Sequence, residues 1–350
     1  MVKDIRICMA GFGAVGQRFC RLLLEKEREL AEAYGCRVLL TGVSTPSRGT
    51  LLDPNGLDLK GLLQMEEAER HFDRSHPGYC ECDVFGLLEQ SAADVFCELT
   101  TLSISDGQPA TGYIMAALER RMHVITANKG PEAHHFRRIR DKAAAVNRLF
   151  LYETIVLDGT PTFNLFTETL KGNKILGIRG ILNGTTNFVL DQLEQGVSYE
   201  DAIREAQRIQ LAEADPSMDV DGWDGAAKIC AMANILMDAD LRPADAAVKS
   251  IREVTGASLA QAEAEGKRIK YVCAAERDSS GQVRLTVQPE LLPLDHAFCT
   301  VNGTSAAFTL YTDLAGELTV IQTNPGILQT AYGVYSDLLT LLAKTIPFSR

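Results

Sequence analysis

The hexapeptide Gly11-Phe12-Gly13-Ala14-Val15-Gly16 constrains this chain more than any other feature. It follows a short apolar run, Arg6 to Met9, that reads as a buried strand, and it opens a helical pattern reaching about Tyr34. Three glycines in a strand–turn–helix setting do separate jobs. The first permits a tight turn, the second lets a pyrophosphate approach the backbone, and the third lets helix and strand pack closely. The first N–H groups of the helix then face the phosphates. Taken alone, G-x-G-x-x-G also fits a glycine-rich turn of some other α/β protein. The flanking strand and helix favour a Rossmann-type dinucleotide site built from Gly11, Phe12, Gly13, Ala14, Val15 and Gly16.

The second strand reads as Arg37 to Val43 and ends in Ser44-Thr45-Pro46-Ser47-Arg48. No acid stands there to bond ribose hydroxyls, as NAD sites usually require, whereas Arg48 can accommodate a 2′-phosphate. NADP is therefore the preferred cofactor and NAD the second choice. The competing reading makes Arg48 an exposed loop cation, with Asp53 as the alternative ribose partner. Val95 to Leu99 reads as a strand entering the loop Thr100-Thr101-Leu102-Ser103, whose threonines are candidate cofactor contacts. Thr111 to Arg120 reads as a helix, His123 to Thr126 as a strand, Arg137 to Asn147 as a helix, and Leu149 to Tyr152 as a strand. Such alternation indicates a doubly wound parallel sheet with ligands at the carboxyl ends of the strands. Lys129 follows such an end, which makes it a candidate for the site.

A chain of 350 residues exceeds one comfortable domain, so two are expected. A net charge of −11 argues against a nucleic-acid partner. No stretch reaches the roughly 18 uninterrupted apolar residues of a membrane helix. The start, Met1-Val2-Lys3-Asp4-Ile5-Arg6-Ile7, lacks the apolar core of a signal peptide. The nine cysteines are scattered; Cys80 and Cys82 are the closest pair, a poor fit to a zinc site. Reduced thiols in a cytoplasmic chain are the simplest reading.

Beyond residue 150 the polar residues cluster. Glu153 through Pro161 is a turn rich in acceptors, and Asn183-Gly184-Thr185-Thr186-Asn187 carries a strand end into a helix, with Thr186 or Asn187 able to serve as its cap. The segment Ala212 to Lys228 leads an acidic loop into an apolar helix running to about Met237. Asp224 and Lys228, four residues apart, share one face of that helix. A surface ion pair is the plain alternative, but a helix apolar nearly all round is buried, so its charged start is expected to line a cavity.

Together these segments resemble homoserine dehydrogenase over nearly the whole chain: the glycine fingerprint, Thr126-Ala127-Asn128-Lys129, Asn183 to Asn187, Ala212-Glu213-Ala214-Asp215-Pro216, Asp219 to Lys228, and Thr330-Ala331 with Ser336-Asp337-Leu338-Leu339. The resemblance implies hydride exchange between a nicotinamide and the homoserine–aspartate semialdehyde pair, within threonine and methionine biosynthesis. It implies that Lys228 bonds the reacting oxygen with Asp224 as its partner, and that Lys129 lies beside the substrate for orientation or proton transfer. By the same resemblance Glu213 and Asp219 hold the substrate ammonium, while Gly184 and Thr185 meet substrate atoms. Glu153, Val156, Asp158 and Thr160 would form a site for a monovalent cation, Na+ or K+. The implied architecture is a Rossmann domain plus an α+β substrate and dimerisation domain, working as a homodimer or homotetramer.

Three places depart from the family pattern. Gln210-Leu211 stands where the family has Gly-Tyr, Leu157-Asp158 where its cation turn is glycine-rich, and Thr323-Asn324-Pro325-Gly326 where it has a glycine-rich turn. They leave room for a paralogous dehydrogenase of another small amino acid or hydroxy compound, or for a nucleotide-binding protein without turnover. Residues 1–152 are expected to form the dinucleotide domain, joined by a C-terminal helix of about 326–350, and 153–325 the substrate domain. Within the latter, Glu263 to Ala275 reads as a helix, and Arg284 to Val287 and Phe308 to Tyr311 as antiparallel strands. The chain reaches Arg350 soon after the last helix, so no appended regulatory domain is expected.

Overall fold

The computed structural model describes residues 3–68 and 71–346, with side chains for all of these but 66–68. Met1 and Val2 of the expected first strand and residues 347–350 of the expected last helix lie outside the described residues. The chain divides into two compact units. One comprises the chain through Pro131, Arg137–Pro161 and Gly326 onward; the other comprises Glu132–Phe136 and Thr162–Pro325. The turn 153–161 thus falls with the first unit. Glu153 donates its N–H to the Asp337 carboxylate at 2.9 Å, and the Thr154 hydroxyl donates to the Thr330 oxygen at 2.9 Å, which ties the turn to the last helix.

The first unit is built on β1 (Lys3–Ala10), α1 (Ala14–Glu25), α2 (Glu27–Tyr34), β2 (Cys36–Thr45), β3 (Gly49–Leu52), α3 (Leu59–Ala68), β4 (Tyr79–Cys80), α4 (Val84–Gln90), β5 (Val95–Glu98), α5 (Ala110–Glu119), β6 (His123–Thr126), α6 (Lys129–Ala145) and β7 (Phe150–Leu151). Its seven-stranded sheet has the order β4-β3-β2-β1-β5-β6-β7. The five strands β2, β1, β5, β6 and β7 are parallel, and β3 and β4 add an antiparallel edge. The second half of β1, Ile7 to Ala10, and the whole of β5 are buried between cores on both faces of the sheet, which is why Ile7 to Ala10 and Val95 to Cys97 read as apolar runs. One core gathers Ile7, Met9, Phe19 and Leu23 with Val334 and Leu338; the other gathers Cys8, Phe96, Ile114 and Ile139.

The long helix expected to Tyr34 is two helices, because Lys26 leaves helical geometry (φ −108°, ψ 6°). α6 begins eight residues before its expected start. Pro131 is tolerated there because a first-turn N–H has no helical partner to lose, and Asn128 caps the end by accepting from the Gly130 N–H at 3.0 Å.

The second unit runs β8 (Ile175–Ile181), α7 (Gly184–Glu194), α8 (Tyr199–Arg208), α9 (Ser217–Val220), α10 (Trp223–Leu236), β9 (Ala247–Val248), α11 (Gly256–Ala264), β10 (Lys267–Arg277), β11 (Val283–Pro293), β12 (Ala306–Thr312) and β13 (Glu317–Gln322), before α12 (Ile327–Thr345) closes the first unit. Its six-stranded sheet has the order β13-β12-β8-β10-β11-β9 and is antiparallel except at β11 and β9.

The helix expected over Glu263 to Ala275 is wrong. α11 ends at Ala264, and residues 267–277 are β10. β10 lies between β8 and β11 and is buried from Ile269 to Ala275, so it shows no period-two alternation to mark it as a strand. Even Lys270 is fully buried there, donating to Asn187 Oδ1 and Asp191 Oδ1 at 3.0 Å and to the Val301 oxygen at 2.7 Å.

Candidate active site

In the first unit the glycine turn leaves β1 at Gly11 with φ +94°. A Cβ here would lie 2.2 Å from the Leu99 oxygen, so only glycine fits. Gly13 is the N-cap of α1 and makes no side-chain cap bond; a Cβ built on it meets nothing within 4 Å. The first turn of α1 holds no acidic residue. An uncapped helix start with open space before it is suited to a phosphate. The turn opens on a cleft of about 340 Å³ lined by Gly11, Phe12, Gly13, Arg48, Thr100 and Thr101, among others. These residues fit a dinucleotide. Ala14, Val15 and Gly16 form the first turn of α1 behind it.

Arg48 reaches back across this cleft and donates to the Phe12 oxygen. Its own N–H donates to Thr45 Oγ1 at 2.9 Å, which fixes the turn after β2. Asp53 lies outside the cleft lining; its carboxylate accepts from the Asn55 N–H at 2.8 Å. At the end of β5, Glu98 is fully buried and accepts from the Thr100 N–H at 2.9 Å and from Thr126 Oγ1 at 3.0 Å. Burial pushes its carboxyl up, and those bonds oppose the shift. Thr126 in turn accepts from the Asn128 N–H at 3.0 Å. This chain of bonds sets the Thr100-Thr101 loop and the start of α6, where Lys129 is the first helical residue.

The oxygens expected to hold a cation also lie in this unit. Glu153 is buried in a short 3-10 turn, and Val156 and Thr160 are buried beyond it. Asp158 takes φ +48°, and its Oδ1 accepts from Thr330 Oγ1 at 2.6 Å. A carboxylate with main-chain and hydroxyl oxygens is the ligand type that hard cations take. Among the described residues no group of three or more His, Cys, Asp or Glu gathers as a metal site.

In the second unit, the end of β8 delivers Leu182 and Asn183 to the head of α7. The helix cap is Asn183, not Thr186 or Asn187: its Oδ1 accepts from the Thr186 N–H at 2.8 Å. Asn187 instead donates to the Val301 and Gly303 oxygens at 3.2 and 3.0 Å, inside the network of Lys270. Asn183 Nδ2 donates to Asp219 Oδ1 at 2.7 Å and to Asp224 Oδ2 at 2.8 Å. Asp224 pairs with Lys228 at 3.0 Å along α10, and Lys228 Nζ donates to the Leu182 oxygen at 2.7 Å. Lys228 and Asp224 keep 17% and 12% of their side-chain surface open, so the pair is partly buried rather than solvated. Asp219 has its carboxyl pushed up, first by burial and then by the Asp224 charge.

The sequence signals for Asp219, Asp224 and Lys228 therefore converge on one cluster, and Asn183 is the member they missed. Its signal was available: an asparagine at a strand-to-helix junction has an amide left over after capping. Thr185 Oγ1 donates to the Leu211 oxygen at 3.2 Å, and Gly184 lies against Thr304, where a Cβ would sit 3.2 Å from that residue's oxygen. Glu213 is exposed on the loop after α8, and no hydrogen bond or ion pair joins its carboxylate to the cluster among the described residues.

Comparison with known proteins places both halves. Residues 11–153 match the family model described as homoserine dehydrogenase, NAD binding domain, and residues 161–339 match that described as homoserine dehydrogenase. The chain is 32% identical to an NAD(+)-dependent homoserine dehydrogenase of Pseudomonas canavaninivorans, covering 97% of this chain and 96% of that one. It is 34% identical to a homoserine dehydrogenase of Methanocaldococcus jannaschii over 97% of this chain and 99% of that one. A crystal structure of a putative homoserine dehydrogenase from Archaeoglobus fulgidus superposes with a TM-score of 0.87 at 29% identity, covering 97% of this chain and 99% of that one. With family models matching residues 11–153 and 161–339 and relatives at 32–34% identity nearly end to end, this chain belongs to the homoserine dehydrogenase family.

Proposed function

We propose that this chain interconverts L-homoserine and L-aspartate 4-semialdehyde, with NADP preferred over NAD. The observation that carries the reading is the Asp219–Asn183–Asp224–Lys228 cluster in a chain of this family. A bound nicotinamide supplies or accepts the hydride at the carbon that carries the oxygen. The chain's own residues handle the oxygen and the amino group. The Lys228 ammonium bonds the reacting oxygen, stabilises the negative charge that grows there during reduction, and delivers or receives a proton at Nζ. Asp224 keeps that ammonium charged and aimed. Asp219 and Glu213 give the substrate ammonium its counter-charge, Gly184 and Thr185 meet its backbone atoms, and Lys129 takes the orienting or proton-transfer role that the family resemblance assigns.

NADP preference is supported by a β2 end of Ser44 and Thr45, with no acid, and by Arg48 in the lining of the cleft. Nicotinamide absorbance with homoserine, NADP and NAD in parallel tests reaction and cofactor together. Reduction with either cofactor supports the reaction; equal rates, or a faster one with NAD, reject the preference. A dehydrogenase for another substrate, or a binding protein without turnover, is not favoured: Lys129, Asp224 and Lys228 all stand, and relatives at 32–34% identity match nearly end to end.

Glu153, with the oxygens of Val156, Asp158 and Thr160, is proposed to hold Na+ or K+, tested by activity in K+ against a bulky organic cation. A homodimer or homotetramer is proposed because the second unit's sheet exposes Leu176, Leu291 and Ile321 from three strands; light scattering tests it. The proposed location is the cytoplasm: all nine cysteines are free thiols, and no described helix is long and apolar enough to cross a membrane.

A further inference from the structure

A helix cap needs only an acceptor, and Asn183 Oδ1 provides one to the Thr186 N–H. The other end of the same amide does something capping does not require. Its two N–H groups go to two different carboxylates, Asp219 and Asp224. The amide cannot be turned round: a flip would aim Oδ1 at both carboxylates and Nδ2 at an N–H, setting like against like at three contacts.

We infer that Asn183 is a positioning residue for the reaction, holding the substrate-facing carboxylate Asp219 and the Lys228 partner Asp224 side by side in their working orientations. The inference rests on the homoserine dehydrogenase reading above, which gives Asn183 no role. Two carboxylates brought together in a partly buried site repel, and one of them takes up a proton unless donors separate them. The groups that face Asp219 are Asp224 and Lys228 from α10 and Asn183 and Thr185 from α7. Of these, Asp224 pushes the Asp219 carboxyl up while Asn183, Lys228 and Thr185 pull it down. Removing the amide leaves Asp219 closer to neutral, which weakens its hold on the substrate ammonium. It also frees Asp224 to swing, and Lys228 with it.

Two substitutions keep the cap and remove the bridge. Serine and aspartate both serve at an N-cap, so Asn183→Ser and Asn183→Asp retain the acceptor for Thr186. Asn183→Asp additionally sets a third carboxylate against the other two. Steady-state rates with homoserine and NADP are measured across pH, with thermal melting alongside. The expected result for Asn183→Ser is a rise of roughly tenfold in KM for homoserine, from the loss of a charge-assisted bond. The acid limb of kcat/KM moves to higher pH by about one unit. Both effects are larger in Asn183→Asp, and melting stays near that of the wild type. A wild-type KM and acid limb in both variants would overturn the inference and leave Asn183 a helix cap. Loss of the folded state in both would overturn it too, making the amide a determinant of the fold. A wild-type chain that turns over neither homoserine nor aspartate semialdehyde would sink the parent reading and the inference with it, a result separable from the others because it appears before any substitution.

Discussion

Lys228 donates to the main-chain oxygen of Leu182 at 2.7 Å, so the last residue before the α7 cap holds the ammonium that α10 presents. The bond joins the end of a strand to a helix side chain, and with the Asp224 pair it fixes Nζ from two directions.

From this geometry, Lys228→Ala is expected to lower kcat by about 100-fold or more, the usual scale for losing a positioned acid–base group. Cofactor affinity is expected to stay within about twofold, because Lys228 is not among the residues that line the dinucleotide cleft. Steady-state kinetics beside a fluorescence titration of NADPH decide it. Near-normal kcat would remove Lys228 from the mechanism.

Arg48→Ala is expected to weaken NADP binding by about tenfold, the loss of one charge-assisted phosphate contact, with NAD unchanged. The comparison uses the two dissociation constants on the same variant. An equal change in both would assign Arg48 to holding the Phe12 carbonyl and nothing more.

Glu98 gives a pH signature. Its folded pKa is raised by burial, so the folded state binds its proton more tightly than the unfolded state does. Linkage then makes stability fall as pH rises from the ordinary carboxylate range through the raised folded value, with the full cost present above it. Glu98→Gln removes that titration. The melting temperature of wild type minus that of Glu98→Gln should therefore drop as pH rises through this window; a flat difference would show that Glu98 does not titrate on folding.

Gln210→Gly is expected to stabilise the chain by about 0.5–1 kcal/mol, read from urea unfolding. Gln210 is exposed and takes φ +59°, a strained backbone region for a side chain with a Cβ. A loss of stability would mean that the glutamine makes contacts that outweigh the backbone relief.

The same observation explains what the sequence concealed. Gln210, Asp158 and Asn324 lie in the three segments that depart from the family's glycines, yet all three take positive φ, at +59°, +48° and +44°. A positive φ is the backbone region that glycine enters most easily, so at each of these places a residue with a Cβ holds a conformation that favours glycine. The dinucleotide unit was legible because its glycines, strands and crossovers leave local marks. Asp219, Asp224 and Lys228 were legible because charge at the head of an apolar helix needs a reason. β10 was hidden because burial on both faces erases the alternation that marks a strand, and the edge strands β3 and β4 were too short to show a pattern. Asn183 was missed because the local pattern put the cap at Thr186 or Asn187, and because its carboxylate partners Asp219 and Asp224 stand 36 and 41 residues away in the chain.

α12 has a consequence for synthesis. Its Val334 and Leu338 complete the core that Phe19 and Leu23 begin, although some three hundred residues of chain separate them. A ribosome therefore releases the dinucleotide unit's first strands long before the helix that seals them. The residues of the second unit, Glu132–Phe136 and Thr162–Pro325, have all been made before α12 exists. The part encoded later can be finished first, and the glycine fingerprint, made some three hundred residues earlier, waits for α12 before its fold is whole.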